Sequence, residues 1–256
     1  MRRDNIEYEE MAMKAIVLAG GLGTRLRPLT FAVPKPLLAV GDKPILQHII
    51  ERLSKAGCDE ITLATGYLAE LVEAFCGDGS RFDTRIKYVR ENQPLGTAGP
   101  LSLLRDQIAP DEFFILMNGD IVTQLDYTKL FAFAQRRDYE MTVGYVHHVY
   151  QTPFGVLSID ERGEVSEIAE KPLVRYCVSG GIYILKGSVL NYIPDNQYFT
   201  IPDLIQKLRQ ANRPVGAYLI REFWLGVERP GHIEKGREAL NTHLNGHEAN
   251  RAAIGF

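Results

Sequence analysis

Short apolar runs alternate with amphipathic stretches along the first half of the chain. Residues 15–19 (AIVLA), 60–64 (EITLA), 86–89 (IKYV) and 113–117 (FFILM) are dominated by apolar and β-branched side chains. Each reads as a strand, the first and last as strands buried on both faces. Between them, residues 44–56 carry Ile45, Ile49 and Leu53 at helical spacing, and Pro44 suits a first helical turn. Residues 68–75 read as a second helix, stopped by Gly77 and Gly79. Residues 97–104 read as a third. Apolar strands separated by helices are the pattern of a parallel sheet covered on both faces.

After about Tyr139 the pattern changes. Residues 141–146, 154–159, 165–169 and 178–185 read as strands with little helix between them, and 201–210 and 233–244 as the last helices. The expected fold is α/β: a Rossmann-like, mostly parallel central sheet with helices on both faces, plus a small antiparallel lobe. Residues 13–246 form one domain with a soft division near 140. Residues 1–12 (MRRDNIEYEEMA) read as a loose tail ahead of a second plausible start at Met13, and 247–256 as a tail behind.

Composition narrows the possible partners. The chain has 256 residues, 45% hydrophobic, enough for one sizeable core. Lys and Arg number 29 against 32 Asp and Glu, a net charge of -3. That balance gives no footprint for nucleic acid. No apolar run approaches the ~18 residues of a membrane span. The cysteines, Cys58, Cys76 and Cys177, have no metal-binding spacing and read as reduced thiols of a cytoplasmic protein.

The strongest local feature follows the first strand: Leu18-Ala19-Gly20-Gly21-Leu22-Gly23-Thr24-Arg25-Leu26-Arg27. Three glycines after a buried strand let backbone amides approach a ligand. Ligands of open α/β sheets bind at this end of a strand. Arg25 and Arg27 suit phosphate oxygens. Pro34-Lys35-Pro36 restricts the backbone around a lysine able to reach the same loop. A dinucleotide-binding loop fits badly, because the third glycine of GxGxxG would fall on Leu26, and the Walker pattern is absent. Asn118-Gly119-Asp120 ends the most apolar strand, where a carboxylate can hold Mg²⁺ between phosphates.

The loop together with Pro34-Lys35-Pro36 resembles the sugar nucleotidyltransferases, the nucleoside-diphosphate-sugar pyrophosphorylases, closest in motif to mannose-1-phosphate guanylyltransferase-like members. The resemblance runs from about Met13 to Leu244. It implies a nucleotide-binding part over about 13–140 and a sugar-binding part over about 141–230. It implies that Leu18, Ala19, Gly20, Gly21, Gly23, Thr24, Arg25 and Lys35 hold the nucleotide. Glu91, Gly96 and Thr97, in ENQPLGTAGP, would face the base. Asp120 would bind Mg²⁺. Gly155, Glu170, Lys171 and Gly181 would meet the sugar phosphate. Arg25, Lys35, Asp120 and Lys171 would carry catalysis. Relatives with a β-helix module carry it after the catalytic part; with about a dozen residues after Leu244, none is expected here.

One position departs from the resemblance. In Phe223-Trp224-Leu225-Gly226-Val227-Glu228, relatives carry an aspartate at 226 as second metal ligand. In an extended segment, residues 226 and 228 share a face, so Glu228 is the candidate replacement. The implied reaction joins a sugar 1-phosphate to a nucleotide from a nucleoside triphosphate, with release of pyrophosphate. A carboxylate at 91 can accept from guanine N1–H and N2–H₂ together, which favours GTP; UTP or dTTP is the alternative. A homo-oligomer is compatible with the resemblance. A non-catalytic nucleotide-sugar-binding regulatory subunit is the rival class, supported by Gly226.

Overall fold

The structure, a computed structural model, describes residues 13–244; the expected tails, 1–12 and 247–256, lie outside the described residues. In chain order the strands are β1 (Met13–Leu18), β2 (Ala39–Val40), β3 (Lys43–Pro44), β4 (Cys58–Thr65), β5 (Arg85–Arg90), β6 (Phe113–Asn118), β7 (Ile121–Thr123), β8 (Met141–Gln151), β9 (Gly155–Ile159), β10 (Val165–Glu170), β11 (Leu173–Lys186), β12 (Val215–Leu219) and β13 (Trp224–Gly226). The α-helices are α1 (Ile45–Lys55), α2 (Ala69–Cys76), α3 (Tyr127–Arg137), α4 (Ile201–Gln210) and α5 (Pro230–Leu244).

Seven strands form the central sheet in the order β12-β8-β11-β6-β1-β4-β5. β1 runs parallel to β4 and β6, and β4 parallel to β5. β11 is antiparallel to both of its neighbours, and β12 is parallel to β8, so β11 alone runs against the rest. The sheet therefore continues across residue 140. The separate antiparallel piece is the β9–β10 ribbon.

Alternation along the strands builds two cores. On β6, Ile115 and Met117 face one cluster with α1 and α3, while Phe114 and Leu116 face another with α4. All four are fully buried, each worth about 1.5–3 kcal/mol of apolar burial. On α1 the stripe Ile45, Leu46, Ile49, Ile50 and Leu53 is buried, an amphipathic face laid on the sheet. Leu116→Ala would open a cavity in the second core at about 2–5 kcal/mol.

Several elements differ from the sequence expectation: the short strands β2, β3 and β7 were not expected, β11 starts at Leu173 instead of 178, and three larger differences follow. Helix α3 was not expected. Asp126 caps it by accepting from Lys129 N at 3.2 Å, and Tyr127, Leu130, Phe131 and Ala134 form its buried stripe. Phe133 hides that stripe in the sequence, because it packs off the core, edge-on to Tyr218 at 5.3 Å. Strand β12 was also not expected; it is an edge strand whose single partner is β8. The helix expected at 97–104 is a run of 3-10 turns over Gly99–Gln107. Ala98 N and Gly99 N both donate to Phe199 O at 2.9 Å, which fixes its start to another segment instead of to a helical turn.

Candidate active site at the carboxyl edge of the sheet

The carboxyl ends of β5, β4, β1 and β6 lie in register, since Leu18 pairs with both Ala64 and Asn118 and Thr65 with Arg90. Backbone bonds continue past the strands. Ala19 N donates to Ala64 O at 2.7 Å, Gly119 N to Leu18 O at 2.8 Å and Glu91 N to Thr65 O at 2.8 Å. Glu91, Gly66, Gly20 and Asp120 thus line one rim. β1 is where the chain departs to either side of the sheet, the crevice in which such folds bind ligands.

Gly20 is required by space and Gly23 by space and conformation, whereas a Cβ on Gly21 would meet nothing within 4 Å. A Cβ on Gly20 would lie 2.5 Å from Glu91 Oε1 and 3.1 Å from Gly66 N. Gly23 has φ +59, and a Cβ there would meet Thr30 and Lys35 at 2.9 and 3.1 Å. Thr30 Oγ1 donates to Gly23 O at 2.9 Å and holds the turn. Gly66 and Thr30 were not singled out in the sequence. Gly66 had a visible cue, a glycine directly after an apolar strand, as at Gly20.

Lys35 is aimed back at the rim. Pro34 holds extended backbone ahead of a 3-10 turn at Lys35–Leu37, and the Lys35 ammonium donates to Asp120 Oδ2. Arg25 Nη1 donates to Glu228 Oε2 at 2.5 Å. Gly23, Thr24, Arg25, Leu26, Lys35 and Glu228 line a cleft of about 130 Å³. Glu228 reaches it because β13 pairs with β7, Gly226 opposite Ile121, and Val227 N donates to Asp120 O at 2.8 Å. Trp224 Nε1 anchors the segment on Gly180 O at 2.7 Å. A Cβ on Gly226 would meet only the Trp224 ring, at 3.4 Å, so the position has room for a side chain.

Glu91 is held at the far end of the rim. Burial pushes its carboxyl pKa up, partly offset by the Leu95 N–H donated to Oε2 at 3.0 Å. Gly96, φ +81, and Thr97 serve the neighbouring packing. A Cβ on Gly96 would strike Phe199 O, and Thr97 Oγ1 accepts from Ile201 N at 2.9 Å at the start of α4.

The sugar-side residues divide. Gly181, φ +65, lies against the rim, where a Cβ would come within 2.7 Å of Asn118 Nδ2. Gly155 and Glu170 face each other across the β9–β10 ribbon. Lys171 follows with φ +45, a conformation uncommon for a side-chain-bearing residue. Its ammonium lies 3.9 Å from Glu170 Oε1, both side chains exposed. The structure thus brings Gly20, Gly23, Arg25, Lys35, Glu91, Asp120, Gly181 and Glu228 to one rim, and leaves Gly155, Glu170 and Lys171 on the ribbon.

The Nucleotidyl transferase family profile matches residues 14–239. The chain belongs to that family. It is 36% identical over 225 residues to "Probable mannose-1-phosphate guanylyltransferase 1" of Oryza sativa subsp. japonica, covering 85% of this chain and 62% of that protein. It is 35% identical over 242 residues to "Mannose-1-phosphate guanyltransferase" of Schizosaccharomyces pombe, covering 92% and 66%. The chain therefore spans about two thirds or less of these relatives' length. Among solved structures, HddC from Yersinia pseudotuberculosis superposes with a TM-score of 0.69 at 26% identity, over 89% of this chain and 99% of that one. A putative glucose-1-phosphate thymidylyltransferase from Bacillus anthracis gives 0.71 at 25% identity, over 89% and 95%. HddC has also been solved complexed with GMP-PN.

Nucleotidyl transferase family membership gives Asp120 and Glu228 their interest. Among the described residues there is no cluster of three or more His, Cys, Asp or Glu side chains able to hold a metal. Mg²⁺ needs none when one or two carboxylates and substrate phosphates complete its shell. Two carboxylates beside Arg25 and Lys35 are a donor set that fits it. Cys58 and Cys76 are buried away from the rim, and burial pushes their thiols up to about 12. Among the described residues, no helix is long and apolar enough to cross a membrane.

Proposed function

We propose that this chain transfers a guanylyl group from GTP to a hexose 1-phosphate, mannose 1-phosphate first among candidates, with release of pyrophosphate. The reading rests most on the contact of Lys35 with Asp120, which ties a cation lining the cleft at the glycine loop to the carboxylate just past the end of β6. The relatives' names supply the base and the sugar.

The chemistry asks little acid–base work of the protein. A phosphate monoester has its second pKa near ~6, so the nucleophile is ionised at neutral pH. A sugar-phosphate oxygen attacks the α-phosphorus in line, the α–β anhydride bond breaks, and pyrophosphate departs. The obstacle is repulsion between anions and the entropy of aligning them. The amides from Gly20 to Thr24 cradle the triphosphate. Arg25 and Lys35 exchange their carboxylate partners for phosphate oxygens as substrate enters. Lys171 meets the sugar's phosphate, while Gly155, Glu170 and Gly181 border the sugar. Asp120, with Glu228, would hold Mg²⁺, which when bound supplies charge neutralisation between the phosphates. Glu91 accepts from the guanine edge through the oxygen that Leu95 leaves free. A cytoplasmic site of action fits these soluble substrates.

The test is a matrix of five nucleoside triphosphates against a panel of sugar 1-phosphates with Mg²⁺, reading released pyrophosphate. GTP with mannose 1-phosphate is expected to be fastest. Preference for UTP or dTTP would move the reading to the alternative base. No release from any pair would favour a regulatory subunit and overturn the proposal.

A further inference from the structure

The turn that delivers Glu228 to the cleft is held from behind by a histidine. His232 lies half-buried in the first turn of α5. Its Nδ1 is 2.8 Å from Gly226 O and 3.2 Å from Glu228 N, so one ring atom reaches both ends of the turn. With a proton on Nδ1 the ring donates to Gly226 O; without one it accepts from Glu228 N. Either tautomer ties the turn to the helix. The helix is closely seated. A Cβ on Gly236 would lie 2.5 Å from Val40 Cγ1 and 3.1 Å from Leu225 Cδ2, so α5 rests directly on β2 and β13. Between the two tied atoms, Val227 is fully buried and its N–H donates to Asp120 O at 2.8 Å. Asp120 therefore fixes this backbone on one side and His232 on the other.

We propose that His232 is a positioning residue, which holds the 226–228 turn so that the Glu228 carboxylate stays in the cleft beside Arg25. It touches no reacting atom and acts through Glu228. Strand pairing alone does not hold that carboxylate. β13 has three residues in a two-stranded sheet with β7, and its last pair is Gly226 with Ile121. Glu228 lies past that pair, on a long side chain whose aim depends on the backbone beneath it. Misplacing a group by about 1 Å can cost up to ~10²-fold in rate. The effect on turnover rests on the proposed reaction; the tie itself does not.

The test compares His232→Ala, His232→Asn and His232→Gln. The amide of asparagine overlays Nδ1 of the imidazole and that of glutamine overlays Nε2, so only Asn keeps the tie. Pyrophosphate release from GTP and mannose 1-phosphate should fall on the order of tenfold in Ala and Gln, with most of the rate recovered in Asn. In a Glu228→Gln background, His232→Ala should cost almost nothing further, because the two residues act as one unit. Independent losses that multiply, a Gln variant as active as Asn, or a normal rate in His232→Ala would each overturn the proposal. Should the Ala variant unfold, Asn against Gln decides. Amide exchange over 226–229, without substrate or metal, reads the tie by itself. It should quicken roughly fivefold in Ala and Gln, the worth of one hydrogen bond, and not in Asn; unchanged exchange strikes the tie whatever the activity. A wild type that releases no pyrophosphate from any substrate pair strikes the transfer reading instead, and exchange then decides the tie alone.

Discussion

Arg25 donates to Glu228 at 2.5 Å across 203 positions of sequence. The loop that would cradle a triphosphate is therefore tied to the segment that holds Gly226, the position at which the resemblance implies a metal-binding aspartate. Glu228 has two possible duties there: a metal ligand, or a counter-charge that aims Arg25.

The two duties separate in their metal dependence. Glu228→Gln is expected to raise the Mg²⁺ concentration for half-maximal rate by on the order of tenfold. Gly226→Asp in that background should recover most of it, because only the Trp224 ring approaches the new side chain. A Mg²⁺ titration checks both; an unchanged midpoint in Glu228→Gln leaves only the counter-charge.

Glu91 should cost stability where it helps binding. Its carboxyl pKa is raised in the fold, chiefly by burial. Its contribution is therefore full below the unfolded pKa near ~4.3 and is lost as pH rises through the higher folded value. Glu91→Gln is expected to melt on the order of 2 °C higher at pH 7–8, with no gain near pH ~4, while its KM for GTP rises. Melting curves at the two pH values decide it; an equal gain at both would refute the burial argument.

Lys171 sits at φ +45, so its charge and its backbone can be tested apart. Lys171→Gly accepts that conformation without strain and removes the ammonium. Turnover is expected to fall on the order of 10²–10³-fold with the melting temperature unchanged or raised. Near-normal turnover would return Lys171 to a surface ion pair with Glu170.

Asp126 offers a check on the fold away from the site. Burial pushes its carboxyl upward, but hydrogen bonds from Thr128 and Lys129 outweigh it and bring the pKa to about 2. Its stabilisation is present above the unfolded value near ~3.9 and is lost as pH falls through about 2. Asp126→Ala should cost about 1 kcal/mol at pH 7 and far less near pH ~2. Denaturant midpoints at both pH values measure the difference.

What the sequence determined by itself was local. Continuous apolar strands and spaced helices announced a parallel sheet, and the positions Gly20 to Arg25, Lys35 and Asp120 followed from where loops leave strands. Those features are short-range: the end of a strand, a glycine turn, prolines either side of a lysine. Helix α3 escaped because Phe133 packs against Tyr218, a partner 85 residues away, and so blurs the helical stripe. Only the tertiary structure set Gly66 against Gly20, brought Glu228 to Arg25, and left Glu170 and Lys171 out on the β9–β10 ribbon. Pairings of that kind depend on strand order and register, which no local spacing encodes.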